Sequence, residues 1–331
     1  MPRERLRVLT WHVHGSYLAY LAHCGHDLYL PVGPKANGYA GRTDSFDWPE
    51  NVHEVPVEQV RSLPLDVILF QSRRHWEVDQ HEILSEAQRH LPRIFLEHDP
   101  PRESPTETRH VVDDPDVLLV HVTHFNELMW NSGRTPTRVI EHGVAVPADV
   151  EYDGHIPSGI VVVNGLNWRG RRLGSDVFQR ARREVPLVLV GMESLELGGQ
   201  GEVPPRELAR TMAGYRFFFN PIRWTSLGLS VLEAMSVGLP VVGLATTELV
   251  DVVEDGVSGF LSTDIDVLVD RMRQLLDDPA LARRLGSEAR RTARSRFGIE
   301  RFAADWDRTL REVAGEASRT RRSGSLAAAA S

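Results

Sequence analysis

Short runs of β-branched and aliphatic residues alternate along this chain with longer stretches of helical periodicity, and that alternation limits the fold more than any other feature. Strand, helix and strand in succession read as a βαβ unit, and repeated units build a parallel sheet with helices packed on its faces. In the first half, RVLTWHV (Arg7 to Val13) reads as a strand and SYLAYLAHCG as a helix ending on Gly25. DLYLPV, DVILFQ, RIFLEH, DVLLVHV and TRVIEHGV read as further strands, with helices expected near Val78 to His90 and Phe125 to Ser132. The alternation pauses at PADVEYDGHIPSG (Pro147 to Gly159), where prolines, glycines and acids read as a linker.

A second series follows. IVVVNG, PLVLVG, YRFFFNP and PVVGL read as strands, with helices near Ser175 to Glu184 and Arg206 to Ala213 and another inside NPIRWTSLGLSVLEAMSVGLPVVG. Further helices are expected around Asp264 to Asp277 and Pro279 to Arg296. The last amphipathic stretch, GIERFAADWDRTLREVAG, carries Ile299, Phe302, Trp306 and Leu310 at helical spacing and needs an apolar surface to cover. The tail ASRTRRSGSLAAAAS is low in complexity and is expected to be disordered.

A chain of 331 residues with 41% apolar residues can bury two cores of this kind. A net charge of −8 supplies no broad positive field, which argues against a nucleic-acid partner. Cys24 is the single cysteine, so neither a disulfide nor a multi-thiolate metal site forms within the chain. The start, MPRERLRVLTWHVHG, lacks the apolar core of a signal peptide. A cytoplasmic protein is the expectation, with contact at a membrane surface allowed. All 14 histidines lie at or before His155. The close pairs His12 and His14, His23 and His26, and His121 and His124 raise a metal site, but no third ligand stands at a zinc-binding spacing, so no metal is assigned. Polar residues at the carboxyl ends of strands explain the pairs as well.

The stretch Asn220 to Gly243 carries the most chemistry. FFFN ends a strand, and ligands of parallel sheets bind beyond the carboxyl ends of the strands, where helix amino termini also point. Thr225 or Ser226 can cap the helix that follows, and Gly228 lets its first turn approach a ligand closely. The first-turn N–H groups and the positive end of the helix dipole suit a phosphate. Ser226 and Glu233, seven residues apart, return to nearly the same face about 10 Å apart along a helix. That offset suits a pyrophosphate at one end and a ribose diol held by the Glu233 carboxylate further along. The alternative is a glutamate on the solvent face of an amphipathic helix.

TSLGLSVLEAMSVGLPVVG followed by ELVDVVEDGVSGFL resembles the donor-nucleotide motif of retaining glycosyltransferases of the GT-B fold, family 4 (glycosyltransferase group 1). The likeness extends through IVVVNGLNWRGRRLGSDVF, PLVLVG and RVIEHGVAVP, well over Ile160 to Phe297 and weakly before it. The resemblance implies an α/β chain of two facing Rossmann-like domains. The first, over 1–150, would take the acceptor and the second, over 151–297, the nucleotide sugar. A crossover helix over 298–316 would return to the first domain, leaving the tail at 317–331.

The family pattern has two glutamates with seven residues between them. Glu233 matches the second, implied to hold the ribose, and Thr225 stands where the first would touch the transferred sugar. A threonine gives one hydrogen bond and no negative charge, and it serves equally as a cap or loop residue. Ser226, Leu227 and Gly228 complete the implied donor loop. After the first strand of the second domain the family places an arginine and a lysine on the diphosphate. Here Arg169, Arg171 and Arg172 are available, with Arg169 the first choice and Arg172 the second. A guanidinium aimed at a departing diphosphate favours the transition state over the ground state. RIFLEHDPP resembles the segment that brings a histidine to the sugar, which makes His98 a catalytic candidate. The beginning HVHGSY retains only Gly15 of the family's glycine-rich first loop, and Gly15 is a weaker donor-binding candidate beside His14. No chemistry is assigned to Glu141 or His142.

The implied activity is transfer of a sugar, with retention, from a nucleotide diphosphate sugar to an unknown acceptor that is a glycan, a lipid or a small molecule. No metal or cofactor is required beyond the donor itself. The alternatives are another GT-B activity, such as nucleotide-sugar epimerisation, and a catalytically impaired nucleotide-sugar-binding subunit that serves a partner.

Overall fold

The computed structural model describes residues 4–34 and 38–328, with side chains as far as residue 315. The chain divides into two compact units, Met1–Gly143 together with Ile299–Ser331, and Val144–Gly298.

The first unit holds a seven-stranded parallel sheet. Its strands are β1 (Arg7–Thr10), β2 (Asp27–Val32), β3 (Val52–Pro56), β4 (Val67–Phe70), β5 (Arg93–Glu97), β6 (Val117–His121) and β7 (Thr137–Val139), in the order β3-β2-β1-β4-β5-β6-β7. Val8 sits between Leu28 of β2 and Val67 of β4, so β1 is central. The apolar runs are what a sheet covered on both faces demands: every residue of β4 is buried. On one face Leu9, Trp11, Phe70 and Phe95 form the core with Val60, Ile83 and Val112.

The second unit holds β8 (Ile156–Val162), β9 (Leu187–Val190), β10 (Tyr215–Asn220), β11 (Val241–Leu244) and β12 (Gly259–Ser262), all parallel, in the order β12-β11-β10-β8-β9. β10 is buried throughout, Arg216 included. That guanidinium is tolerated because it donates to the carbonyls of Gly154, Leu275 and Leu276, the last two at the carboxyl end of helix Ile265–Asp277, where the dipole favours a cation.

The amphipathic segment after Gly298 packs on the first unit. Phe302, Trp306 and Leu310 are fully buried, and the Trp306 indole N–H donates to the Tyr17 hydroxyl at 3.1 Å. Phe302 lies so close to Gly143 that a β-carbon there would meet its Cβ at 2.2 Å. Arg301 donates to the carbonyls of Glu141 and His142, and Arg138 pairs with Glu312 at 2.7 Å.

Several boundaries differ from the sequence expectation. The chain passes between units at Gly143–Val144, ahead of the stretch read as a linker. That stretch is bound to the second unit, because Asp153 N–H and Gly154 N–H both donate to Ala213 O and the Tyr152 hydroxyl donates to Arg216 O. The helix expected over Val78 to His90 is a π-helical turn, His75–Asp79, then two short helices, Gln80–Ile83 and Glu86–Arg89. Leu84 is extended and Ser85 starts the second helix with a capping box to Gln88, which ends the periodicity early. β3 and β12 add edge strands beyond those anticipated. The final helix runs Ile299–Ala328, so the backbone over 317–328 continues helical where a disordered tail was expected. Arginine and alanine, three of each over 317–328, are good helix formers. Residues 329–331 of that tail lie outside the described residues. No helix among the described residues is long and apolar enough to cross a membrane.

Trp306→Ala is expected to remove about 3–5 kcal/mol from the first unit, read as an earlier denaturation of that unit by hydrogen exchange while the second keeps its protection. Acid is expected to act with the same bias. Burial pulls His75 and His121 down to about 3, so the unfolded chain takes up protons near pH 6.5 that the folded unit refuses. Stability present above about pH 6.5 is therefore lost as pH falls toward 3. Exchange measured at pH 7 and pH 4.5 checks whether the first unit weakens more than the second, whose one histidine is the exposed His155.

Candidate functional site

Each sheet has one place where the strand order reverses direction, and a crevice opens there between the loops leaving two adjacent strands. In the second unit these are the loops after β8 and β10. They are tied to one another: Arg223 N–H and Trp224 N–H donate to Arg172 O at 3.0 and 3.2 Å. The Arg223 guanidinium clasps both oxygens of Asp176, at 2.6 and 2.8 Å, and also donates to Arg171 O. That clasp holds the Asp176 carboxyl below the usual carboxylate range. Gly174 lets the loops meet, since it takes a left-handed φ of +79° and a β-carbon there would stand 1.9 Å from Pro221 O. Ser230 Oγ donates to Val162 O at 3.3 Å, tying the helix after β10 to the end of β8.

The three arginines separate within this frame. Arg171 is exposed and ion-paired to Asp176 at 2.6 Å. Arg172 is half-buried and lends its carbonyl to the other loop. Arg169 is half-buried, with its guanidinium 5.0 Å from the Trp168 ring, and its Nε is enclosed without a hydrogen-bond partner. A guanidinium N–H in that state lacks the acceptor that buried donors ordinarily have. Trp168 itself is 66% exposed.

The helix after β10 begins later than its sequence suggests. It runs Leu229–Val237, its N-cap is Gly228, and no side chain caps it. Thr225 and Ser226 therefore lie in the loop and do not cap it, because the backbone turns into helix only after the glycine. Glu233 stands one turn from the first helical residue, about 6 Å along the axis, and not two turns from a capping Ser226. Ser226 and Leu227 are buried, whereas Thr225 and Gly228 are half-buried. Glu233 is half-buried on a helix whose residues Val231, Leu232 and Ala234 to Val237 are all buried. Leu229 and Ser230 are the other half-buried positions of this helix.

In the first unit the reversal lies between β1 and β4. His14 caps helix Gly15–Leu21 by position but not by side chain. Gly15 is covered: a β-carbon on it would fall 2.4 Å from the Phe46 ring, so the space that a bare glycine leaves for a ligand is filled here by Phe46. His98, just past β5, forms edge-to-face contacts with His14 at 4.3 Å and Tyr17 at 4.9 Å between ring centroids. Tyr17 in turn meets His142 at 5.6 Å, which brings into the cluster a residue given no chemistry from sequence. Desolvation, reinforced by His14 and His142, holds the His98 ring well below the ordinary histidine pKa. Its Nε2 meets Gln71 Oε1 at 2.9 Å. Asp99 does not pair with it, since that carboxylate goes to Arg102. Among the described residues no three His, Cys, Asp or Glu side chains come together to hold a metal ion.

Gln71, Arg223 and Ser230 had no sequence signal pointing to them. Each acts on a partner brought close only by a crossover.

Residues 160–278 match the family model described as Glycosyl transferases group 1. N-acetyl-alpha-D-glucosaminyl L-malate synthase of Bacillus anthracis is 31% identical over 90 residues, 27% of this chain and 24% of that protein. Sulfoquinovosyl transferase SQD2 of Arabidopsis thaliana is 33% identical over 115 residues, 33% of this chain and 22% of that protein. The matched stretches thus span about a quarter of the length of these curated relatives. Among solved structures, sucrose-phosphate synthase from Thermosynechococcus elongatus superposes with a TM-score of 0.67 at 17% identity, covering 93% of this chain and 99% of that one. HepE of Anabaena, solved with UDP-glucose, also gives 0.67, at 15% identity, covering 93% and 100%. The fold of the chain is therefore that of the GT-B glycosyltransferases.

Gly174→Ala is expected to destabilise the second unit by about 2 kcal/mol or more, through left-handed strain and the clash with Pro221. The midpoint of urea denaturation checks this, with Gly256→Ala, where a β-carbon meets nothing within 4 Å, as the comparison for strain alone.

Proposed function

We propose that this protein is a retaining glycosyltransferase that takes a sugar from a nucleotide diphosphate donor held on the second unit and passes it to an acceptor. The observation that carries the proposal is Arg169. Its enclosed, unpartnered Nε lies in the loop after β8, across the strand-order reversal from a helix that begins on a glycine with no side-chain cap. Both features favour an anion with several oxygen acceptors, and they fall inside the region matching Glycosyl transferases group 1.

In this reading the diphosphate lies between Arg169 and the first turn at Leu229. Glu233, one turn further along, accepts the ribose hydroxyl hydrogens. Arg172 supports the loop mainly through its carbonyl. As the glycosidic bond breaks, negative charge collects on the departing diphosphate, and a guanidinium already fixed there stabilises it without reorganising. In the first unit, burial with His14 and His142 nearby leaves His98 a neutral imidazole, and it remains the catalytic candidate there. The known donors and acceptors of the similar proteins differ from one another in their names alone, malate and sulfoquinovose among them, so the donor base, the sugar and the acceptor are left as classes.

One observation favours a second reading, a nucleotide-sugar-binding subunit with little turnover. Thr225 replaces the glutamate that the family pattern directs at the transferred sugar, and it lies in the donor loop, half-buried.

The test is incubation of the purified protein with UDP-, GDP- and ADP-sugars, following both binding and release of nucleoside diphosphate. Glu233→Gln is expected to weaken donor binding about ten- to hundred-fold, the effect of losing charge-assisted hydrogen bonds. Arg169→Ala is expected to lower the rate of donor cleavage more than it weakens binding. Binding without diphosphate release under any condition selects the subunit reading. Donor binding that ignores both substitutions rejects the assignment. Thr225→Glu is expected to change which sugar is accepted, and identical selectivity in that variant removes Thr225 from the sugar site.

A further inference from the structure

Gln71 leaves β4 at the reversal point of the first sheet and is 5% exposed. Its side-chain nitrogen donates to Thr10 Oγ1 and to the carbonyl of Trp11, both at 2.8 Å. A main-chain carbonyl can only accept, so the atom facing Trp11 O must be the NH2, and the orientation of the amide is settled. The other terminal atom is then the oxygen, and it faces His98 Nε2 at 2.9 Å. A carbonyl oxygen has no proton to give, so the proton in that bond belongs to the ring.

We infer that Gln71 is a positioning residue that holds His98 in the Nε2–H tautomer. The ring therefore presents Nδ1 as a hydrogen-bond acceptor to substrate. A side chain in that state receives an O–H or N–H, as from a sugar hydroxyl, and offers nothing to a carboxylate. The groups around the ring agree: His14 and Tyr17 meet it edge to face, and its Nε2 is taken by Gln71. Gln71 is itself held at its backbone, whose N–H points to His75 Nδ1 at 3.4 Å, and Thr10 at the end of β1 and Trp11 just past it supply both acceptors for its amide. Its orientation is thus determined by the pairing of β1 with β4 and does not depend on ligand. Naming a sugar hydroxyl as the group received rests on the proposed function, whereas the tautomer does not.

The tautomer is measured directly on protein with 15N-labelled histidine, using two-bond 1H–15N correlations at neutral pH, with His98 identified by its loss in His98→Gln. The expected spectrum is a neutral ring with the proton on Nε2. A proton on Nδ1, or on both nitrogens, of the ring so identified overturns the inference whatever becomes of the Gln71 variants. Gln71→Leu is expected to raise the Nδ1–H fraction, and Gln71→Glu, which returns an oxygen acceptor, to restore the proton on Nε2. A spectrum indifferent to Gln71→Leu also overturns it. With whichever UDP- or GDP-sugar the wild type cleaves, Gln71→Leu should lower kcat about ten-fold and leave KM within about two-fold. A change confined to KM counts against positioning. Failure of the wild type to bind any nucleotide sugar would reject the proposed function and leave the tautomer result standing.

Discussion

The rest of the structure depends on the geometry of parallel strands. Each strand must be followed by a crossover, so every strand's carboxyl end and the next helix's amino end meet at one edge of the sheet. Where the strand order reverses, at β1/β4 and at β8/β10, neighbouring loops diverge onto opposite faces and leave a crevice. The features singled out above gather at these two places. Gln71 and His14 stand at the first, with His98 one strand further on; Arg169, Gly174, Gly228 and Ser230 stand at the second. Backbone tension in the second crevice is relieved by Gly174, and the side-chain clasp of Arg223 on Asp176 fixes the loop spacing.

The two crevices differ in electrostatic character. That of the second unit carries arginines and a helix terminus without a side-chain cap, which are positive features. The crevice of the first unit is built from histidines that burial keeps neutral, His75 and His98 among them, together with Gln71 and Tyr17. A neutral imidazole acts through the direction of its hydrogen bonds, and that direction is set by a neighbour's amide. The chain thus places charge on one unit and directional neutral groups on the other, although its overall charge of −8 hints at neither.

Similar solved structures fall at 15% and 17% identity with nearly full coverage, while the matches to curated sequences are confined to short stretches. This contrast has a physical origin. A core of two parallel sheets tolerates many apolar sequences of the right volume and pattern, so architecture persists when residues do not. The family model by contrast covers 160–278, which includes the loops after β8 and β10.

From sequence alone, the alternation of buried strands and helices announced two parallel sheets, the long break in periodicity fell a few residues past the change of unit at Gly143–Val144, and Phe302, Trp306 and Leu310 declared a helix with a face to bury. The resemblance that nominates Glu233 and the loop before its helix was also legible, as a local motif. Less visible were the start of the helix at Leu229, the break at Leu84, the Phe46 ring over Gly15, and the partners of Arg223 and Gln71. Periodicity reports how each residue divides its surface between core and water, and it extends over one element at a time. Gln71 meets Thr10 and Arg223 meets Asp176 across tens of residues of intervening chain, and only the order in which strands pair brings them within hydrogen-bonding distance.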